Sequence, residues 1–226
     1  MTKIENDRKQ AIITKYIYDP ANFAQVKAHF SQFVENCLSS TKNIMAEVYL
    51  DDDKKDVIWL IQRWEDHSSW TTFSSSAPAE RFSELIESNG VSISLQYFVT
   101  DTEPLSKEEW RKPVQPSGEQ FTLMLILQAL EGTQDKFQLA YHKAMPAFRD
   151  EEGVITYQLS VDDQDKTQFL TYEKFRNQAS FDFHLSFPPI NPIVDFLKTS
   201  IKAPPFQQGL HRLIQFAPQD NLALKS

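Results

Sequence analysis

One cysteine and five glycines in 226 residues set the first limits on what this chain does. The lone Cys37 excludes an intrachain disulfide framework, and a reducing cytoplasm is the expected setting. With so few glycines there is no G-x-G-x-x-G, no Walker loop and no G-x-S-x-G, so nucleotide cofactors and hydrolase elbows find no support. Histidine is equally scarce. His29, His67, His142 and His211 have no partners at ligand spacing, so no metal is expected. No apolar run approaches the ~18 residues that suggest a membrane span. The stretch from Met1 to Asp7 lacks the apolar core of a secretory signal. The net charge of −8 comes without a basic stripe, which argues against nucleic acid and anionic membrane as partners.

What the chain has in quantity is aromatic side chains: 17 Phe, 7 Tyr and 4 Trp. They are enough to line a pocket for a small aromatic or hydrophobic molecule, although rings also dominate ordinary cores. The acidic run Asp51 to Asp56 lacks the glycine and distal Glu of an EF-hand and is expected to be a solvated hairpin tip. Cys37 falls on a helical apolar stripe and reads as core.

The chain also repeats itself. A shift of 111 residues lays Ile44 to Trp70 on Ile155 to Phe181 without a gap. Asp51-Asp52 then falls on Asp162-Asp163, Arg63-Trp64 on Lys174-Phe175, Gln62 on Glu173 and Phe73 on His184. Each half reads strand, helix, strand, strand, helix, strand. In the first half the strands are Ala11 to Tyr18, Ile44 to Leu50, Val57 to Trp64 and Val91 to Val99. One helix starts at Asp19-Pro20, with Phe23, Val26, Phe30, Phe33 and Cys37 as its stripe. A second spans roughly 68–87 and is broken near Pro78. In the second half, Phe121 to Leu130 opens and Leu210 to Phe216 closes. The polar stretch 101–119, with Pro104, Pro113, Pro116 and Gly118, is expected to link modules at 10–100 and 120–218.

In Val57 to Trp64 both alternating faces are largely apolar, so the sheet has to be covered twice. The helices of the same half supply one cover. The sheet of the other half is the simplest second one. The expected fold is α+β: two ferredoxin-like βαββαβ modules in tandem, forming an intrachain pseudo-dimeric α+β barrel, either monomeric or further paired as a homodimer.

Three stretches carry a family resemblance. They are Glu152-Gly153-Val154-Ile155-Thr156-Tyr157-Gln158-Leu159, Phe169-Leu170-Thr171-Tyr172-Glu173-Lys174-Phe175 and Ser180-Phe181-Asp182-Phe183-His184-Leu185. Together they resemble the antibiotic biosynthesis monooxygenase domain, with its E-x-G-x-x-x-Y-x-L, Y-E-x-W/F and aromatic-x-x-H-L elements. The resemblance covers about residues 120–217. Residues 10–100 resemble the same domain by position and apolar pattern only. It implies an oxidoreductase without cofactor that oxidises hydroxylated aromatics or quinols with O₂. Glu173 and His184 would be the base and the hydrogen-bond donor, and Tyr157, Tyr172, Phe175 and Phe183 the substrate walls. Two departures stand out. The second histidine that family members often carry after H-L is missing from Ser186 to Ile190. The helix also lacks the tryptophan and histidine of haem-degrading relatives.

Other uses of the same residues stay open. Glu173 also suits a strand carboxylate paired with Lys or Arg, and His184 a partly buried side chain serving the backbone. A non-catalytic protein binding a small hydrophobic ligand, or an isomerase or lyase using the same Glu/His pair, would show the same sequence.

Overall fold

The structure is a computed structural model that describes residues 9–110, 120–202 and 208–218. The first half runs β1 (Gln10–Ile17), α1 (Phe23–Ser39), β2 (Asn43–Asp51), β3 (Val57–Trp64), α2 (His67–Ser74), α3 (Ala77–Ser88) and β4 (Ser92–Asp101). A single turn, α4 (Lys107–Trp110), follows. The second half runs β5 (Phe121–Gln128), α5 (Gln134–Asp150), β6 (Val154–Asp162), β7 (Gln168–Phe175), α6 (Gln178–Ser186), α7 (Asn191–Thr199) and β8 (Leu210–Ala217). Among the described residues no helix is long and apolar enough to cross a membrane.

The 111-residue repeat extends well past the stretch legible in the sequence. In β1 and β3, Gln10 pairs with Trp64; in β5 and β7, Phe121 pairs with Phe175. A register irregularity falls between Asn43 and Met45 in β2 and between Val154 and Thr156 in β6. The numbers differ by 111 at every position, and α1 maps onto α5 residue for residue. Strand order is β4-β1-β3-β2 in one module and β8-β5-β7-β6 in the other. The fold is therefore α+β, with tandem ferredoxin-like modules of the pseudo-dimeric α+β barrel class.

Local chemistry accounts for the element ends. Asp19 accepts from the Ala21 backbone N–H at 3.0 Å and, with Pro20 behind it, opens a 3₁₀ turn over Pro20–Asn22 that leads into α1. Asp66 accepts from Ser69 N at 2.7 Å, and Asn177 caps α6 through Ser180 N at 2.9 Å. Pro78 sits in the first turn of α3, where its missing N–H costs nothing.

Every residue of β3 is buried, as is all of β7 beyond Gln168. Each module has its own core. In the first, Val26, Phe30, Phe33 and Cys37 of α1 meet Ala46, Val48, Ile58, Leu60 and Trp64. In the second, Phe137, Tyr141, Met145 and Phe148 of α5 meet Tyr157, Leu159, Phe169 and Phe175.

Two expectations change on inspection. Asp51 is not a solvated turn residue. It is 3% exposed and accepts from Trp59 Nε1 at 3.1 Å, because the indole N–H needs a partner once buried. The stretch 101–110 is structured rather than free spacer. Ser160 Oγ donates to Asp101 at 2.6 Å, Thr102 N donates to Leu159 O at 3.0 Å, and the Arg63 guanidinium lies 4.2 Å from the Trp110 ring centroid. Compact units accordingly place 101–105 with the second module, and 106–110 and 214–218 with the first. Residues 111–119 of the expected linker lie outside the described residues.

Candidate active site

Alternation along β7 sends Phe169, Thr171, Glu173 and Phe175 to the face that α5 covers, the face that carries the second core. On β6, Tyr157 lies opposite Glu173 in the ladder. The Tyr157 hydroxyl donates to Glu173 Oε1 at 3.0 Å, and Thr171 Oγ1 donates to the same oxygen at 2.8 Å. Burial raises the Glu173 pKa, with His184 and the two hydroxyls pulling the other way and Glu151 adding to the rise. Burial likewise lifts the Tyr157 phenol well above its ordinary range, with the Glu173 charge adding to it. Both groups are held toward their protonated forms.

His184 reaches this layer from α6 and is 1% exposed. Its Nδ1 lies 2.7 Å from Glu151 Oε1. A carboxylate can only accept, so Nδ1 carries the proton, and whenever the ring is neutral Nε2 is its basic atom. Nε2 is buried without a hydrogen-bond partner among the described residues. Three rings enclose the imidazole: Phe148 at 4.7 Å, Phe175 at 5.2 Å and Tyr157 at 5.3 Å between centroids. The result is a closely packed aromatic layer that holds an oriented imidazole, with a carboxyl group biased toward its protonated form beside it.

Glycine makes the pairing reachable. A Cβ on Gly153 would lie 2.4 Å from Ser180 Cβ, so only glycine lets the start of α6 come this close to the turn carrying Glu151. Beside that turn is an open cleft of about 770 Å³, whose walls include Glu151, Gly153, Arg176, Ser180, Phe183 and Phe187.

The expected site residues divide into three groups. Glu173, His184, Tyr157 and Phe175 come together. Tyr172 is buried but points to the opposite face of β7 from Glu173, because strand neighbours alternate. Phe183 is 59% exposed and lines the open cleft rather than the buried layer. Glu151 is the residue the sequence argument missed, and His184 pairs with it. Its signal was present: in E-x-G-x-x-x-Y-x-L, read back from Gly153 and Tyr157, the glutamate falls on Glu151, not Glu152.

The first module fills the same positions with other chemistry. Gln62 Oε1 accepts from Trp64 Nε1 at 3.3 Å and from Cys37 Sγ at 3.6 Å. Phe73 stands where His184 does and lies 4.8 Å from the Trp64 ring. Ser40 and Lys42 occupy the places of Glu151 and Gly153. Cys37 is smaller than Phe148 and Trp64 larger than Phe175, so the layer stays packed with no ionisable pair in it. Burial drives the Cys37 thiol pKa well above its usual range, so it is inert.

Among the described residues no group of three or more His, Cys, Asp or Glu stands close enough to hold a metal ion. Residues 121–191 match the family model described as antibiotic biosynthesis monooxygenase. No curated protein matches the sequence. A solved structure from Fusobacterium nucleatum, proposed to be a monooxygenase, superposes with a TM-score of 0.78 at 10% identity, covering 92% of each chain. Another proposed monooxygenase, from Lactobacillus acidophilus, gives 0.73 at 11% identity over 92% of this chain and 94% of that one. An anthrone oxidase-like protein gives 0.63 at 8% identity over 93% and 92%. At these identities the likeness speaks for the fold alone. The second module of this chain thus matches the antibiotic biosynthesis monooxygenase family over residues 121–191, within a tandem fold shared with those structures.

Proposed function

We propose that the second module, residues 120–218, oxidises a small hydroxylated aromatic or quinol with O₂ and no cofactor, while the first, residues 10–100, acts as a non-catalytic pseudo-subunit. The observation that carries this reading is the buried Glu151–His184 pair, with Nε2 open, beside Glu173 held toward its neutral form. Cofactor-free oxygenation asks for these parts. The Glu151–His184 pair takes the proton from the substrate. Glu173, as a neutral acid, donates a hydrogen bond to the anion that forms. The electron-rich anion then passes an electron to O₂, and recombination puts oxygen on a ring carbon. One oxygen atom stays in the product. The other leaves as water with the two hydrogens the substrate gives up. Phe148, Tyr157 and Phe175 keep water from the reacting anion. The single buried Cys37 suits a reducing cytoplasm.

The test is O₂ uptake by metal-stripped protein across hydroquinones and polyhydroxylated aromatics, beside His184→Ala and Glu173→Leu, which removes the donor at that position. Uptake above the autoxidation background that falls in both variants supports the assignment. Full activity in both sinks it. A panel member that binds without any O₂ uptake would replace oxygenation with ligand carriage or isomerisation at the same residues.

A further inference from the structure

Thr171 and Tyr157 send their hydroxyl protons to the same oxygen of Glu173. Thr171 Oγ1 lies 2.8 Å and the Tyr157 hydroxyl 3.0 Å from Oε1, and Oε2 accepts from neither. The ladder sets this up: Tyr157 of β6 stands opposite Glu173, and Thr171 lies two residues back along β7 on the same face. Thr171 is 0% exposed, so its hydroxyl has to find a partner inside the protein. Glu173 itself keeps 8% of its surface. Leu123 covers its backbone on one side and Tyr157 on the other, so the accessible part is side chain.

A neutral carboxyl group has two unlike oxygens. The carbonyl oxygen accepts with two lone pairs, and the other oxygen carries the proton. Two donors on Oε1 make it the carbonyl oxygen and send the proton to Oε2. A proton on Oε1 would point back at the two hydroxyls and offer nothing to a ligand. The first module supplies the contrast. Gln62 stands in the place of Glu173, and the places of Tyr157 and Thr171 are taken by Ala46 and Leu60. Of the two modules, only the one with the carboxyl group carries the two hydroxyls.

We infer that Thr171 and Tyr157 are positioning residues for Glu173: by occupying Oε1 they hold the acid proton on Oε2, and Oε2 is the atom that donates to the substrate oxygen. This inference rests on the proposed role of Glu173 as a neutral acid, and it adds which oxygen acts and what selects it. Tyr157, expected from the resemblance as a substrate wall, acts through Glu173 as well. Thr171, which no motif singled out, is fully buried and works only through the carboxyl group it touches.

Infrared spectra of the resting protein test the proton placement without substrate or O₂. The Glu173 carbonyl band, taken at acidic pH as the difference from Glu173→Gln, is expected to move to higher frequency in Thr171→Val and in Tyr157→Phe, because the carbonyl loses a donor in each. It should return in Thr171→Ser, which restores the hydroxyl. Turnover tests the role. In Thr171→Val, kcat for an accepted aromatic is expected to fall about 10-fold or more with KM little changed, and Thr171→Ser should recover it. Each variant removes one buried hydroxyl, and either serves alone if the other does not fold. A carbonyl band that stays in place, an unchanged kcat in Thr171→Val, or a loss that Thr171→Ser does not recover overturns the inference. If wild type takes up no O₂ with any aromatic, the infrared bands alone decide. A shifted band then leaves the proton placement standing and removes only the oxygenase assignment.

Discussion

His184 Nδ1 and Glu151 Oε1 lie 2.7 Å apart across 33 residues of chain, joining a helix to the turn before β6. The contact orients a buried imidazole and fixes which nitrogen carries the proton toward the carboxylate.

Removing the carboxylate should therefore cost turnover more than binding. In Glu151→Ala, kcat for an accepted aromatic should fall by about 10²-fold or more. Nitrogen NMR of the ring should show the Nδ1–H tautomer in wild type and a mixture in the variant. An unchanged tautomer with an unchanged kcat would make Glu151 a structural residue only.

Glu173 makes stability depend on pH. Its folded pKa is raised above the ordinary 4.5, so the folded protein favours the protonated form. That contribution is complete below about pH 4.5 and is lost as pH rises through the raised value. Glu173→Gln keeps an oxygen acceptor for Tyr157 and Thr171 without the charge. Wild type should melt progressively lower than this variant as pH rises from about 4 to about 8. A Tm difference that does not move with pH would show that Glu173 ionises no differently once folded.

Gly153 and Ser180 should be coupled. Gly153→Ala places a Cβ 2.4 Å from Ser180 Cβ and should destabilise by about 1–3 kcal/mol. Adding Ser180→Gly removes the opposing side chain and should recover part of the loss, which denaturant unfolding of both single variants and the double variant measures. Strict additivity would mean that the turn yields without strain.

The first module offers the reverse experiment. Gln62→Glu buries a carboxyl group against Cys37 and Trp64, with no histidine to offset it. It should destabilise near neutral pH by roughly 1–3 kcal/mol, and recover on acidification as the carboxyl protonates. It should create no O₂ uptake. Stability equal to wild type near neutral pH would show that this layer tolerates charge.

Much of this was legible from periodicity. The apolar stripe of Phe23, Val26, Phe30, Phe33 and Cys37 appears as α1, and Val57 to Trp64, apolar on both faces, appears as a fully buried strand. Glu173 and His184 came from a motif, and both lie in the buried layer. Tyr172 and Phe183, walls implied by the same resemblance, adjoin Glu173 and His184 in sequence but not in space. In a strand the next residue faces the other way, and on α6 the residue before His184 faces solvent.

Local spacing, then, determined the elements, their order and the strand face of Glu173, since each depends on residues within a few positions of one another, and the same local pattern recurring 111 residues on revealed the duplication. Tertiary structure alone decided that Glu151 rather than Glu173 holds His184, that Asp51 is buried under Trp59, and that Arg176 and Phe183 border one cleft. Those outcomes turn on contacts a few ångströms long between segments far apart in the chain, and only the packing of α6 onto Gly153 brings its side of the site together.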